Sequence, residues 1–201
     1  MLPLTLYIPG FDKHVIRDGI PRIVRYAAQC DNSSPSMNGN LTHHLSVDHV
    51  KLDGALRRAM DNPQVVDMAA YAEFREGLLR HIGMEEKILL PAARKANGGK
   101  PLASEERLHL DHCALAALLV LTPTPAILSM IKTILEKHNP LEEGPGAVYE
   151  ECEQLLGAEI DAVLGRLTAA PRVRVAPHAD SAISFESARI ALRNAGYDFS
   201  L

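Results

Sequence analysis

Tryptophan is absent from this chain, and aromatic residues make up only 4% of it. Aliphatic side chains and alanine must therefore fill its core, as helix packing allows. Cysteine is nearly as scarce. Cys30, Cys113 and Cys152 are too few and too scattered for a disulfide framework, and none sits in a Cys-x-x-Cys pair. Zinc–thiolate and thioredoxin-like chemistry lose their support on that ground. No basic run occurs in a chain of formal net charge −4, and phosphate neutralisation needs clustered Lys and Arg, so a nucleic-acid partner is not expected. No apolar run approaches the span of a membrane helix. The apolar N-terminus, Met1 to Pro9, lacks a basic lead and is broken by prolines. Neither a secretory signal nor a membrane partner is expected, and the expected location is cytoplasmic. What remains is a chain of 201 residues, 47% hydrophobic, with a mean hydropathy of −0.03. That is material for one domain with short extensions.

One pattern stands out of this plain background. His81-Ile-Gly-Met-Glu85-Glu86 and His138-Asn-Pro-Leu-Glu142-Glu143 have the same form, and each follows an Asp-His pair, Asp48-His49 or Asp111-His112. His112 follows His49 by 63 residues, and His138 follows His81 by 57. Residues i and i+4 share one helix face, so each His-x-x-x-Glu presents an imidazole and a carboxylate to the same space.

The spacing of apolar residues predicts the helices that carry these groups. A first helix runs from about Thr42 to Met60 with Leu45, His49, Leu52 and Leu56 on one stripe, closed by Asn62-Pro63. A second spans about Gln64 to Ala96, with Phe74, Leu78, His81, Glu85, Ile88 and Ala92 inward and Asn97-Gly-Gly at its end. Ser104 reads as the N-cap of a third, which presents Leu108, His112, Leu115 and Leu119. A fourth starts near Thr124 and carries Ile127, Ile131, Ile134, His138 and Glu142; Tyr149 to Leu167 resumes as helix. Short connections favour antiparallel neighbours, hence an all-α, up-down-up-down four-helix bundle over residues 41–168. Residues 1–40 form an N-terminal extension with a helix from Pro21 to about Cys30 and a linker. Residues 169–201 form a C-terminal extension with a short helix capped by Ser184 and burying Ile190 and Leu192.

An unpaired polar group in an apolar stripe costs on the order of 1–3 kcal/mol, so six of them at equivalent depth need a common partner. Metal ions supply one; direct hydrogen bonding between imidazole and carboxylate is the plainer alternative. The ligand candidates are His49, His81, Glu85, His112, His138 and Glu142. Glu86 and Glu143 lie about 100° further round their helices, which suits outer partners or solvent. Asp48 and Asp111 are expected to point away from the bundle axis, at the surface or behind the ligands. His43 and His44 fall off the stripe, His109 is a reserve ligand, Cys113 and Cys152 read as small buried residues, and His14 and His178 carry no signal. Imidazole and carboxylate without thiolate suit iron, manganese or zinc.

These residues resemble the hemerythrin-like, or HHE cation-binding, family across residues 41–157, and the phrase Glu85-Glu-Lys-Ile-Leu-Leu-Pro91 and Tyr149 also look like family sequence. The resemblance implies a bundle of hemerythrin type holding two irons joined by an oxygen bridge, with zinc or manganese as substitutes. Two departures stand out. The oxygen carriers have a second histidine four residues before the His112 position, where this chain has Leu108, and Pro140 falls between His138 and Glu142, which predicts a kink and leaves Glu143 as a rival ligand. Two six-coordinate ions present about twelve positions. Four histidines, two bridging carboxylates and the oxygen leave about two open to a small ligand. The implied function is binding or sensing oxygen, nitric oxide, peroxide or iron. A di-iron oxidase or peroxidase-like enzyme of stress defence, and iron storage or a structural metal, are the alternatives. No catalytic residue is assigned, and the chain ends offer surface for a homodimer.

Overall fold

The computed structural model describes residues 40–198. The expected helix from Pro21 to about Cys30, and the linker before Asn40, lie outside the described residues; Asn40 itself begins the first helix. Among the described residues every regular element is helical, and no helix is long and apolar enough to cross a membrane.

Helix α1 (Asn40–Ala59) packs against α2 (Met68–Met84), which is capped by Asp67, whose carboxylate accepts from the Ala69 and Ala70 amides. The sequence suggested a start near Gln64, but Asn62 to Val66 form turns. Between Met84 and α3 (Leu90–Ala96) the chain makes one π-helical turn, Glu85–Leu89. Its mark is the Leu90 amide donating to the Glu85 carbonyl five residues back. Pro91 explains the widening, because in an α-helix its ring would press on the carbonyl four residues earlier. The extra residue shifts the buried stripe by one: Leu89 and Ala93 are buried where α-helical phase predicts Ile88 and Ala92.

Helix α4 (Glu105–Leu118) buries Leu108, His112 and Leu115 as expected, with Leu119 just beyond its end. Ser104 does not cap it; the Glu105 carboxylate instead turns back to accept the Leu102 amide at 2.9 Å. Helix α5 (Pro125–Glu143), capped by Thr124, continues through Pro140 to Glu143. Gly144 follows of necessity, since a Cβ there would stand 2.7 Å from the Pro140 carbonyl oxygen. The expected helix from Tyr149 to Leu167 is two helices, α6 (Val148–Leu156) and α7 (Ile160–Thr168), joined by a 3₁₀ turn at Gly157, whose φ of 49° favours glycine.

Residues 170–181 have no regular structure and are fastened by Arg75, which donates to the Ala176 and Leu119 carbonyls, and by Arg80, which donates to the Ala170 carbonyl. Helix α8 (Ala182–Asn194) then packs on α4. Its cap is Ser181 rather than Ser184, and it buries Ala188 and Leu192 while Ile190 stays exposed. Ala188, Leu192 and Ala195 share one helix face at spacings of four and three, and that face is the inward one.

Two apolar cores result. One gathers Leu52, Leu56, Phe74, Leu78, Leu115, Ile131, Ile134 and Leu192; the other gathers Leu45, Met84, Leu89, Leu108, Tyr149, Cys152 and Ile160. On α1, His49 falls between Leu45 of one core and Leu52 of the other, and on α4, His112 falls between Leu108 and Leu115. The histidines thus form a polar seam between two hydrophobic masses.

Candidate metal centre

Six polar side chains meet in this seam. His49 comes from α1, His81 from α2, Glu85 from the π turn, His112 from α4, and His138 and Glu142 from α5. All are buried, the most exposed being His49 at 7%. Their ligand atoms fall into two groups, each with all members within 4.8 Å of one another. His49 and His81 share one group with Glu85 and Glu142; His112 and His138 share the other with the same two carboxylates. The buried His/Glu groups can therefore hold a metal ion. The two groups exchange when His49 is matched to His112, His81 to His138 and Glu85 to Glu142, so the sequence repeat reappears as an approximate two-fold relation of the site.

The contacts follow that relation. His49 Nε2 lies 2.7 Å from His81 Nε2, and His112 Nε2 lies 3.1 Å from His138 Nε2. Glu142 Oε1 is 2.9 Å from His138 Nε2, and Glu85 Oε2 is 3.2 Å from His112 Nε2, yet both oxygens are buried without a hydrogen bond.

The outer nitrogens decide what these contacts mean. His112 Nδ1 meets Glu86 at 2.7 Å, and His49 Nδ1 meets Glu143. Asp111 and Asp48 stand at 3.5 and 4.0 Å from the Nδ1 atoms of His138 and His81. A carboxylate only accepts, so Nδ1 of His49 and His112 carries the proton, and in a neutral ring Nε2 is then a bare lone pair. The bare Nε2 lone pairs of His49 and His112, beside buried Glu85 and Glu142 oxygens and His81 and His138 Nδ1 atoms that lack hydrogen bonds, suit a cation. Ligand atoms about 2.1 Å from a shared ion and at right angles lie about 3 Å apart, and the closest pairs here stand at 2.7 to 3.2 Å. The donor set fits a metal ion.

Without metal, protons serve instead. Burial alone would lower the His81 imidazole, but the Glu85 charge, with Asp48 and Glu142, holds it up at about 10. His112 and His138 are raised likewise against burial, His112 chiefly by Glu142 and Glu85, His138 chiefly by the Glu142 charge. Burial pushes the Glu85 carboxyl up, and the His81 and His112 imidazoles more than reverse it.

Glu142, not Glu143, faces the centre; Glu143 is the partner behind His49. Asp111 is fully buried and takes two hydrogen bonds from Arg107, so it does not point to the surface. Arg107 in turn donates to the Ala195 carbonyl at 2.8 Å and to the Tyr197 hydroxyl at 2.9 Å. His109 stands outside both groups, half exposed, with Nδ1 3.2 Å from Glu86. His43 is exposed, and His44, partly buried, is in neither group. His178 stacks on Tyr71.

The residue that spacing arguments left without a role is Tyr149. Its hydroxyl donates to Glu85 Oε1 at 2.6 Å and stands 3.3 and 3.4 Å from Nε2 of His81 and His49. Burial, with the Glu85 and Glu142 charges, raises its phenol well above its usual value, so it keeps its proton. Its signals in the sequence were its position, six residues after Glu143, and the family resemblance noted for it above.

No protein-family model, curated protein or solved structure matches this chain.

Proposed function

We propose that this chain is a hemerythrin-like protein, an up-down-up-down four-helix bundle whose buried seam holds two metal ions, iron foremost and zinc or manganese as substitutes. Its task on this reading is to bind or sense a small ligand such as oxygen, nitric oxide or peroxide. The observation that carries the reading is the pair of four-residue groups sharing Glu85 and Glu142. Each group would hold one ion, with Glu85 and Glu142 available to both, and imidazole with carboxylate is a donor set for iron or manganese. When bound, redox-active ions supply positions at which a small ligand is taken up and electrons are exchanged. The chain's own part is to orient: Glu143 and Glu86 fix the His49 and His112 rings, and Asp48 and Asp111 stand behind His81 and His138. The two hydrophobic cores flank the seam on either side.

Elemental analysis of protein from iron-supplemented growth tests the reading, with an optical spectrum of the oxidised protein before and after azide. Close to two ions per chain and an azide-dependent absorption are expected. Less than about one-tenth of an ion per chain, for a site of this donor number, would overturn it.

A second reading, a di-iron oxidase or peroxidase-like enzyme, draws on Tyr149. A phenol that retains its proton 2.6 Å from Glu85 can donate that proton to a reacting group at the centre. Turnover with peroxide or nitric oxide, lost in Tyr149→Phe, separates it from a binding protein.

A further inference from the structure

A cleft of about 250 Å³ opens between α1, α2, α4 and α5 and ends on the His/Glu seam. Its floor is His49, His81, Glu85, His112 and His138, and its walls are Leu52, Leu56, Leu78, Ile82, Leu115 and Leu135. Exposed Asp53, Lys132 and Glu136 stand at its rim. A diatomic ligand does not need such a volume. An apolar cavity of about 150 Å³ already takes a benzene ring.

We propose that this cleft binds a small amphiphilic organic acid, its carboxylate on the metal-holding seam and its apolar body of roughly six to ten carbons among the leucines and Ile82. The inference rests on the metal reading above and names the ligand class of the same centre. Three observations fix the class. The floor presents imidazoles and carboxylates, where a bound cation attracts an anionic oxygen donor. Apart from Asn139, the side chains lining the cleft between seam and rim are apolar, so a sugar or polyol would leave most of its hydroxyls without a partner. The rim is close to neutral, because Asp53 pairs with Arg57 at 3.0 Å and Lys132 with Glu136 at 3.8 Å. A single negative charge is therefore not turned away at the entrance.

The probes are the straight-chain carboxylates from acetate to dodecanoate, titrated calorimetrically and by optical spectrum into the metal-loaded full chain. Hexan-1-ol, followed by leucine methyl NMR shifts, reports on the cleft independently of metal. Affinity should rise about fourfold per added methylene, then level off or fall once the cleft is full. Leu135→Trp should abolish the gain with length, and Leu135→Ala should move the best chain length upward, each with metal content measured alongside. If Leu135→Trp does not fold, Leu135→Ala still decides. A protein that holds metal and binds azide, but binds acetate and octanoate equally and shows no hexanol shifts, overturns the inference and leaves the metal reading intact. A protein that binds hexanol but holds no metal overturns the metal reading and the assignment of a carboxylate head with it.

Discussion

The two halves of the seam use the same ligand types in the same order, yet they are held differently. In the half built on His112 and His138, Asp111 is fully buried and clamped by Arg107, which reaches the Ala195 carbonyl and Tyr197. The matching Asp48 in the half built on His49 and His81 is partly exposed, and its partners, Lys51 and Arg80, lie at 3.2 and 3.4 Å. That first half instead has Tyr149 against it, for which the second half has no counterpart among the described residues. One half is fixed from behind and the other is covered from the front. A repeated sequence motif therefore sets which ligands meet, while the unrepeated helices, α6 and α8, make the two positions unequal.

Removing what the halves share should have the largest effect. On the proposed two-ion reading, Glu85→Ala or Glu142→Ala is expected to cost both metal ions, whereas His138→Ala leaves a complete set in the other half, and His43→Ala changes nothing; elemental analysis of the purified variants reads all four. Equal loss from His43→Ala would refute the helical-phase argument. Next come the aspartates. Asp111→Asn should weaken metal affinity by roughly 10–100-fold, and Asp48→Asn by less, in competition with a chelator. If the two are equal, burial of Asp111 does not matter.

Tyr149→Phe should retain both ions but leave Glu85 Oε1 without its 2.6 Å donor. Denaturant unfolding of the metal-free protein should show a loss of about 1–3 kcal/mol, and an unchanged midpoint would show that the hydroxyl contributes nothing there. The smallest effect belongs to Tyr197→Phe, about 0.5–1.5 kcal/mol in the same experiment. A change confined to one of two resolvable metal signals would tie the C-terminal segment to the His138 half.

The sequence made some of this site legible and hid the rest for physical reasons. An i,i+4 pair must share a helix face, so the six inward residues could be chosen from spacing. The apolar stripes around them located α1, α4 and α5 to within a few residues. The direction of Asp111 could not be read, because a residue about 100° from the inward face meets solvent on a lone helix and a neighbour in a packed one. Tyr149 arrives from a helix outside the repeat, so no spacing within the repeat points to it. The π turn is hard to read because an unbroken α-helical period through Glu85-Glu-Lys-Ile-Leu also yields an apolar stripe, with Ile88 and Ala92, and Pro91 alone marks the break.

That turn makes the chain asymmetric toward changes of length. Lys87 is exposed and touches neither group of ligands, so by exposure alone its surroundings look permissive. Deleting it would return Leu89 and Ala93 to the three- and seven-residue offsets from Glu85 that an ordinary helix buries, but it would set the ring of Pro91 against a carbonyl again. Inserting one residue there would spare Pro91 and swing Leu89, Leu90 and Ala93 about 100° out of their core. A loss at this exposed position should be partly tolerated, and a gain should not.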